Sequence, residues 1–434
     1  MLNLSTLDQQ TLLPGTKGLA LTQPLQQKDI AQQHWNVLNA DTSFPVAVLK
    51  QSALQHNLQW MKKFCDSMQV VLAPHGKTTM SPQLFDMQLK NGAWGITLAT
   101  VNQALVAHRF GVRRVLLANQ LISRSDTQAV LALMQADPAF EFFALTDSLD
   151  GVQRMAEQVQ AAGLDRPLPL LVELGFVGGR TGCRNRDEAL AVARAIHQSP
   201  YLQLAGIEGY EGLLVGKHRD QDLIAVRAFI NDLITLTQQA DNEGLFAGEQ
   251  ILLSAGGSAY FDLVGRGFEQ TMQLSRPVTA ILRSGCYVTH DHGFYHHLLQ
   301  EMQTRESVVK ADNLRPALEV WSIVQSRPEP DLAILMMGKR DASYDIDLPF
   351  PVKTHRPGDK SQPCDLPAGC KIEKMNDQHA YLRLPRDSAI CASLQVGDLV
   401  ACGISHPCTT FDKWPVILVV DDDYQVQSAV NTFF

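Results

Sequence analysis

Lys77 lies in the stretch VVLAPHGKTTMSPQLF, two residues after His75 and just before Thr78 and Thr79. Ser81 is a candidate helix cap, Pro82 suits a first helical position, and Leu84, Phe85, Met87 and Leu89 continue at helical spacing. The lysine therefore falls in a turn between a buried strand and a helix. Such a side chain is either a solvated loop lysine or, with a lowered pKa, an amine able to attack a carbonyl. Gly256-Gly257-Ser258 follows an apolar run in ILLSAGGSAYFD. Without Cβ atoms its amides can approach an anion, and the serine adds a hydroxyl; an ordinary turn is the other reading. Near the C-terminus, His406 and Cys408 stand two apart in GISHPCTTFDKW. If Ser405 to Cys408 run extended, both side chains share one face, and imidazole with thiolate suits zinc. Buried side chains without a ligand are the alternative. A second group, His290, Asp291, His292, His296 and His297, reads either as a polar rim or as a metal pair, His292 and His296 having ligand spacing on a helix.

The chain that must position these groups has 434 residues, enough for one large domain and a second. Apolar residues make up 45%, so a sizeable core is available. A net charge of -8 and a pI of about 5.9 argue against nonspecific nucleic-acid binding. Eight cysteines are scattered as reduced cytosolic thiols would be, and only Cys364 and Cys370 invite a loop disulfide. The N-terminal MLNLSTLDQQTLLPGTKG has no basic patch followed by an apolar core, so no signal peptide is expected. No apolar run approaches the ~20 residues that span a bilayer. The expectation is a soluble cytoplasmic protein without membrane or nucleic-acid partners.

From 45 to 305, short apolar runs such as FPVAVL, VVLA, PLLVEL, LAGIEGY and VTAILRSG alternate with amphipathic segments such as RDEALAVARAIHQ. Near-continuous apolar strands between helices imply a parallel sheet covered by helices, and eight such units predict an α/β fold, a (β/α)8 TIM-type barrel. An open doubly wound sheet is the alternative. On the barrel reading Lys77 sits at the carboxyl end of a strand, the face that carries active sites. From 306 to 434 the runs are strand-like, with Gly, Pro and Asp between them, which predicts an antiparallel β domain. Residues 1–44 are expected to pack with that domain.

APHGKTTM resembles the Pro-His-x-Lys-Thr turn of the D-serine dehydratase and D-threonine aldolase family. These are pyridoxal 5'-phosphate (PLP) enzymes of fold type III, related to alanine racemase. The likeness covers nearly the whole chain, including FPVAVLKQSALQHNLQWM and NGAWGITLATVNQA. It implies that Lys77 carries PLP, with His75 beside it. Gly256, Gly257 and Ser258 resemble the family's phosphate loop, and RSGCYVTHD resembles an Arg-x-Gly-x-Tyr turn in which Gly285, Cys286 and Tyr287 complete the cradle. Tyr210, in GIEGYEG, resembles a contact to the phosphate or ring. Arg180, in GGRTGCR, would contact the cofactor ring or brace loops. The dehydratase branch carries His-x-Cys where the aldolase branch more often has His-x-Asp, so the resemblance makes His406 and Cys408 ligands of Zn2+. His379 resembles part of a Glu-His-Gly segment and is an outer candidate. Ala73 stands in place of a usual arginine, Thr79 and Met80 in place of His-Lys, and Gln378 and Ala380 also depart; the pattern resembles a bacterial amino-acid deaminase subgroup.

The reaction implied is loss of water from a D-3-hydroxy amino acid, giving a 2-oxo acid and ammonia, with D-serine giving pyruvate. The relatives pair as homodimers, which sets the same expectation here. D-threonine aldolase or D-3-hydroxyaspartate dehydratase chemistry on the same scaffold stays open. Racemisation would need a second acid/base group on the opposite face, which the sequence does not place. A non-enzymatic PLP-carrier protein would lack the C-terminal β domain.

Overall fold

The computed structural model describes residues 2–214, 219–269, 273–306 and 312–434. It divides into two compact units, one chiefly Met61–Lys77 and Gln88–Gly285, the other Asn3–Trp60, Thr78–Met87 and Cys286–Phe434.

In the first unit eight strands run parallel: Val71–Leu72, Ile96–Leu98, Arg114–Gln120, Glu141–Thr146, Leu168–Leu174, Leu202–Gly209, Ile251–Ala255 and Val278–Leu282. From Ile96–Leu98 onward each pairs with the next, and the last pairs with the first. The ring closes through a parallel bridge between His75 and Thr97 and a 2.7 Å bond from the Trp94 N–H to the Leu72 carbonyl. The expected TIM-type barrel is what forms. Its strands are buried on both faces, which is why they read as continuous apolar runs rather than alternating ones. Ala73, Leu116, Ala118, Leu145, Leu171, Ala205, Leu252 and Ile281 meet in one cluster. Helices between the strands start on side-chain caps: Thr100, Ser123, Ser148 and Asn185 each accept an N–H three residues on.

The second unit is built on a ten-stranded, largely antiparallel sheet. Its central strand, Leu318–Glu329, pairs with Leu399–Gly403, Leu332–Leu335 and Val46–Lys50. Val46–Lys50 also runs parallel to Val416–Val420. This corrects the boundary expected at residue 45: FPVAVL belongs to this sheet and not to the barrel. It is flanked by strands on both sides and four of its five residues are buried, so it carries the same apolar signature as a barrel strand. Leu12, Leu19, Ile30 and Val37 of the N-terminal segment share a core with Val46, Val48, Trp321, Leu399 and Leu418. Cys364 and Cys370 do not form the loop disulfide; both are thiols. Among the described residues no helix is long and apolar enough to cross a membrane.

Candidate active site

Lys77 lies in the 3-10 turn Gly76–Thr78, which follows strand Val71–Leu72. The helix Pro82–Lys90 comes next, its Phe85 N–H bonding the Ser81 carbonyl at 2.9 Å. The approach to the turn is pinned on both sides. The His75 N–H donates to the Arg283 carbonyl at 3.1 Å, and the Thr97 hydroxyl donates to the Ala73 carbonyl at 2.6 Å. Lys77 is exposed, at the carboxyl end of the barrel strands.

Two charges beneath the turn were not singled out from the sequence. Arg283 and Glu208 form an ion pair with side chains 6% and 1% exposed, and Arg283 also donates to the Gly209 carbonyl at 2.8 Å. Burial pushes the Glu208 carboxyl up to about 8, against the pull of Arg283. Burial, with Lys77, Arg283 and Arg180 nearby, holds His75 well below its ordinary range, so its imidazole is neutral at pH 7. Three buried polar atoms here have no hydrogen-bond partner: His75 Nδ1, Glu208 Oε2 and Arg283 Nε. A charged residue inside the apolar runs LQLAGIEG and VTAILR was the available signal, because buried charges are rarely left without a task or a partner.

The Gly-Gly turn adjoins this group. Gly256 has φ +90°, and a Cβ there would come within 2.7 Å of Leu282. The Gly256 and Gly257 N–H groups donate to the fully buried Glu211 carboxylate at 3.0 and 2.9 Å. The turn is thus an anion nest, but these two amides, expected to face a phosphate, are engaged by a carboxylate the sequence reading passed over. The Tyr210 ring packs against Gly257, and the Arg180 guanidinium lies 5.2 Å from that ring's centre. The Arg283 N–H bonds the Gly256 carbonyl at 3.0 Å, and the Ser284 hydroxyl bonds that of Gly257 at 2.8 Å. Lys77, His75, Arg180, Tyr210, Gly256 and Gly257, with Ser258 and Gly285 in sequence beside them, therefore belong to one face of the barrel. A cavity of about 530 Å³ lined by residues such as Phe142, Arg166 and Gln203 opens at the amino ends of the strands and holds none of them.

In the second unit Cys286 begins the 3-10 turn Cys286–Val288, which is buried throughout and includes Tyr287. The Cys286 sulfur lies 3.7 Å from that of Cys408, and Thr78 Oγ1 lies 3.8 and 3.5 Å from the two. The Cys408 contact and burial hold the Cys286 thiol well above its ordinary range. Ser405 to Cys408 do not run extended. Pro407 is helical (φ -56°, ψ -40°) and Cys408 opens the helix Cys408–Phe411, so strand alternation does not govern this pair. Proline's fixed φ favours a helix start, which the sequence reading did not weigh here. His406 Nδ1 lies 2.5 Å from Asp345 Oδ2, and Thr409 donates to the other oxygen at 2.8 Å. Burial would raise the Asp345 carboxyl, but the Thr409 and His406 bonds bring it below its ordinary range. Among the described residues no three His, Cys, Asp or Glu side chains are grouped to hold a metal.

The other histidine group has a structural task. Asp291 accepts N–H bonds from Gly293, Tyr295 and His296 at 3.2, 3.1 and 2.8 Å, capping the helix Phe294–Arg305. His292 precedes that helix, so it and His296 do not share a helical face. Burial lowers His290 to about 3 and His292 to about 4, leaving both neutral. His379 is exposed in the turn between Lys371–Met375 and Ala380–Arg383.

Residues 49–272 match the family "Alanine racemase, N-terminal domain", and residues 317–420 match "Putative serine dehydratase domain". A D-threonine aldolase of Arthrobacter sp is 24% identical over 412 residues, 94% of each chain. Among solved structures, D-threonine aldolase from Filomicrobium marinum superposes with a TM-score of 0.75 at 24% identity, covering 91% of this chain and 96% of that one. A D-threo-3-hydroxyaspartate dehydratase superposes in two single-residue variants, with TM-scores of 0.72 and 0.70 at 19% and 20% identity. Each covers at least 90% of this chain and 97% of the other. One variant replaces a histidine by alanine; the other replaces a cysteine two positions further on and is in the metal-free form.

Proposed function

Because the chain belongs to the alanine racemase-like family of fold type III PLP enzymes, we propose that it is a PLP-dependent lyase of D-3-hydroxy amino acids, and more narrowly a D-serine dehydratase. One observation carries the reading: a lysine in the βα turn of a closed barrel, beside three buried polar atoms that no protein group satisfies. The fit to PLP is good. Unsatisfied His75 Nδ1, Arg283 Nε and Glu208 Oε2 offer donors and an acceptor to a polar heterocycle, and the turn at Gly256 is already shaped for an anion. Lys77, His75, Arg180, Tyr210, Ser258 and Gly285 would hold the cofactor, with Cys286 and Tyr287 next in the chain.

When bound, PLP supplies an electron sink for negative charge developing at the substrate Cα. Lys77 would hold the cofactor, and its amine is the group that would take the Cα proton. A neutral His75 adds no positive charge beside Lys77, which leaves the amine freer to act as a base. Arg283, fixed by Glu208 and the Gly209 carbonyl, presents a permanent cation with its Nε–H still to give. His406 and Cys408 fit zinc by donor type, and the Asp345 bond at Nδ1 fixes which imidazole nitrogen remains for the metal. A Lewis acid there would make the β-hydroxyl a better leaving group. The spacing of two matches the histidine and cysteine replaced in the dehydratase variants, which favours elimination.

The second reading is aldol cleavage, favoured by the full-length likeness to D-threonine aldolase. Both follow from one pair of measurements on D-serine, D-threonine and D-3-hydroxyaspartate. A 2-oxo acid with ammonia is the expected product. Glycine with an aldehyde would replace the dehydratase reading by the aldolase one, and no turnover of any D-hydroxy amino acid would end both.

A further inference from the structure

We propose that Glu211 is the positioning residue of the cofactor's phosphate cradle: its carboxylate closes the Gly256 and Gly257 amides to the ligand and fixes the two turns that receive the phosphate, at Ser258 and Gly285. This rests on the PLP reading above. Glu211 opens the 3-10 turn Glu211–Leu213, just beyond the strand Leu202–Gly209, and is fully buried. Each of its oxygens accepts one N–H, from Gly256 at 3.0 Å and from Gly257 at 2.9 Å. The carbonyls of the same two glycines are taken from the other side. That of Gly256 accepts the Arg283 N–H at 3.0 Å, and that of Gly257 accepts the Ser284 hydroxyl at 2.8 Å. Both glycines thus have N–H and C=O engaged by protein groups. A phosphate could reach these amides only by expelling a buried carboxylate from the partners that compensate its burial, which is costly.

The bonds form one chain through the backbone. The Gly257 N–H and the Gly256 carbonyl belong to a single peptide group, so the carboxylate on the N–H makes that carbonyl a stronger acceptor for Arg283. The Gly257 carbonyl and the Ser258 N–H belong to the next peptide group, and the Ser284 hydroxyl on that carbonyl strengthens the Ser258 N–H as a donor. Gly285 directly follows Ser284. One side chain beyond the sixth barrel strand thereby sets the backbone of the turns after the seventh and eighth. The anion for which the Gly256 turn is shaped is this carboxylate, and the phosphate is received by the residues that it aligns.

Titration of the full chain, stripped of cofactor, with PLP and with pyridoxal reads the cradle apart from the rest of the site, because pyridoxal has the same ring and aldehyde but no phosphate. The visible absorbance of the bound form gives a dissociation constant for each. Glu211→Gln keeps the shape of the side chain but sets an NH2 group against one of the two glycine N–H groups. PLP should bind roughly 10-fold or more weakly to this variant, with pyridoxal nearly unchanged. Equal losses on both would make Glu211 a matter of folding alone, and no loss would make it dispensable. Tighter PLP binding would show that carboxylate and phosphate compete for the same amides. Each of these overturns the proposal. A crystal structure of the PLP-loaded wild type decides the matter even if the variant fails to fold: Glu211 is expected to remain on both amides, and a phosphate oxygen in its place overturns the proposal. No visible absorbance on adding PLP to the wild type overturns instead the reading on which it rests.

Discussion

Glu208 shows how one buried side chain makes the barrel's stability depend on pH. Its carboxyl titrates near 8 in the folded chain against an ordinary 4.5, because burial outweighs the attraction of Arg283. Between those values the folded chain keeps a proton that the unfolded chain has lost. Stability from this group is therefore complete below about 4.5 and falls as the pH rises toward about 8. Glu208→Gln holds the neutral form throughout and keeps an oxygen for Arg283. The wild-type melting temperature should decline more steeply than the variant's over that range, measured without added ligand. Parallel curves would mean that Glu208 stays ionised and that the ion pair with Arg283 is the stronger influence. The same residue marks what the sequence concealed. The place of Lys77 in a turn between strand and helix was legible because the Pro-His-Gly-Lys-Thr stretch is local in the chain. The Glu208–Arg283 pair joins strands that are second neighbours in the barrel, and no local pattern announces it.

At the scale of elements, the barrel was legible and its first boundary was not. Eight apolar runs from VVLA onward became eight parallel strands, because two buried faces leave one signature. FPVAVL bears that signature for a different reason, as a strand between two others in the second sheet. Composition reports burial, not partner. The His406 turn failed in the opposite way: period-two spacing was read where Pro407 starts a helix. Within the barrel the tightest approach is between neighbouring strands at Gly206, where a Cβ would stand 2.0 Å from the Leu252 carbonyl oxygen. A main-chain atom in a paired strand cannot step aside as a side-chain tip can. Gly206→Ala should therefore destabilise the protein by about 1–3 kcal/mol or more, as overpacking of a close-packed interior does. Gly163→Ala, at a helix end where nothing lies within 4 Å, isolates the backbone cost of a positive φ and should lose less. Equal losses in denaturant titrations of the two variants would show that the strand contact yields.

For the whole molecule the question is whether a metal would hold the fold together or only act within it. Small zinc domains unfold without their ion because they lack a core large enough to stand alone. The second unit is not of that kind. Leu12, Ile30, Val37, Val48, Trp321, Leu399 and Leu418 share one buried core in a ten-stranded sheet, and His406 and Cys408 take no part in it. Lys50, Trp321 and Tyr424 converge on the buried Glu319 carboxylate, a polar network that ties two strands and the turn before Val426–Asn431 without a cation from outside. Chelation should therefore leave the melting temperature nearly unchanged and the visible absorbance of PLP intact. Elimination is the step that should suffer, since hydroxide leaves poorly without a Lewis acid at its oxygen. A loss of roughly 10²-fold, equivalent to ~3 kcal/mol of barrier, is expected, with recovery on adding zinc. Exchange of the Cα proton with deuterated water should fall less, because in the proposed reaction that proton is removed before the hydroxyl leaves. Unfolding on chelation would give the ion a structural role, and full elimination in a sample shown to be metal-free would leave His406 and Cys408 without one.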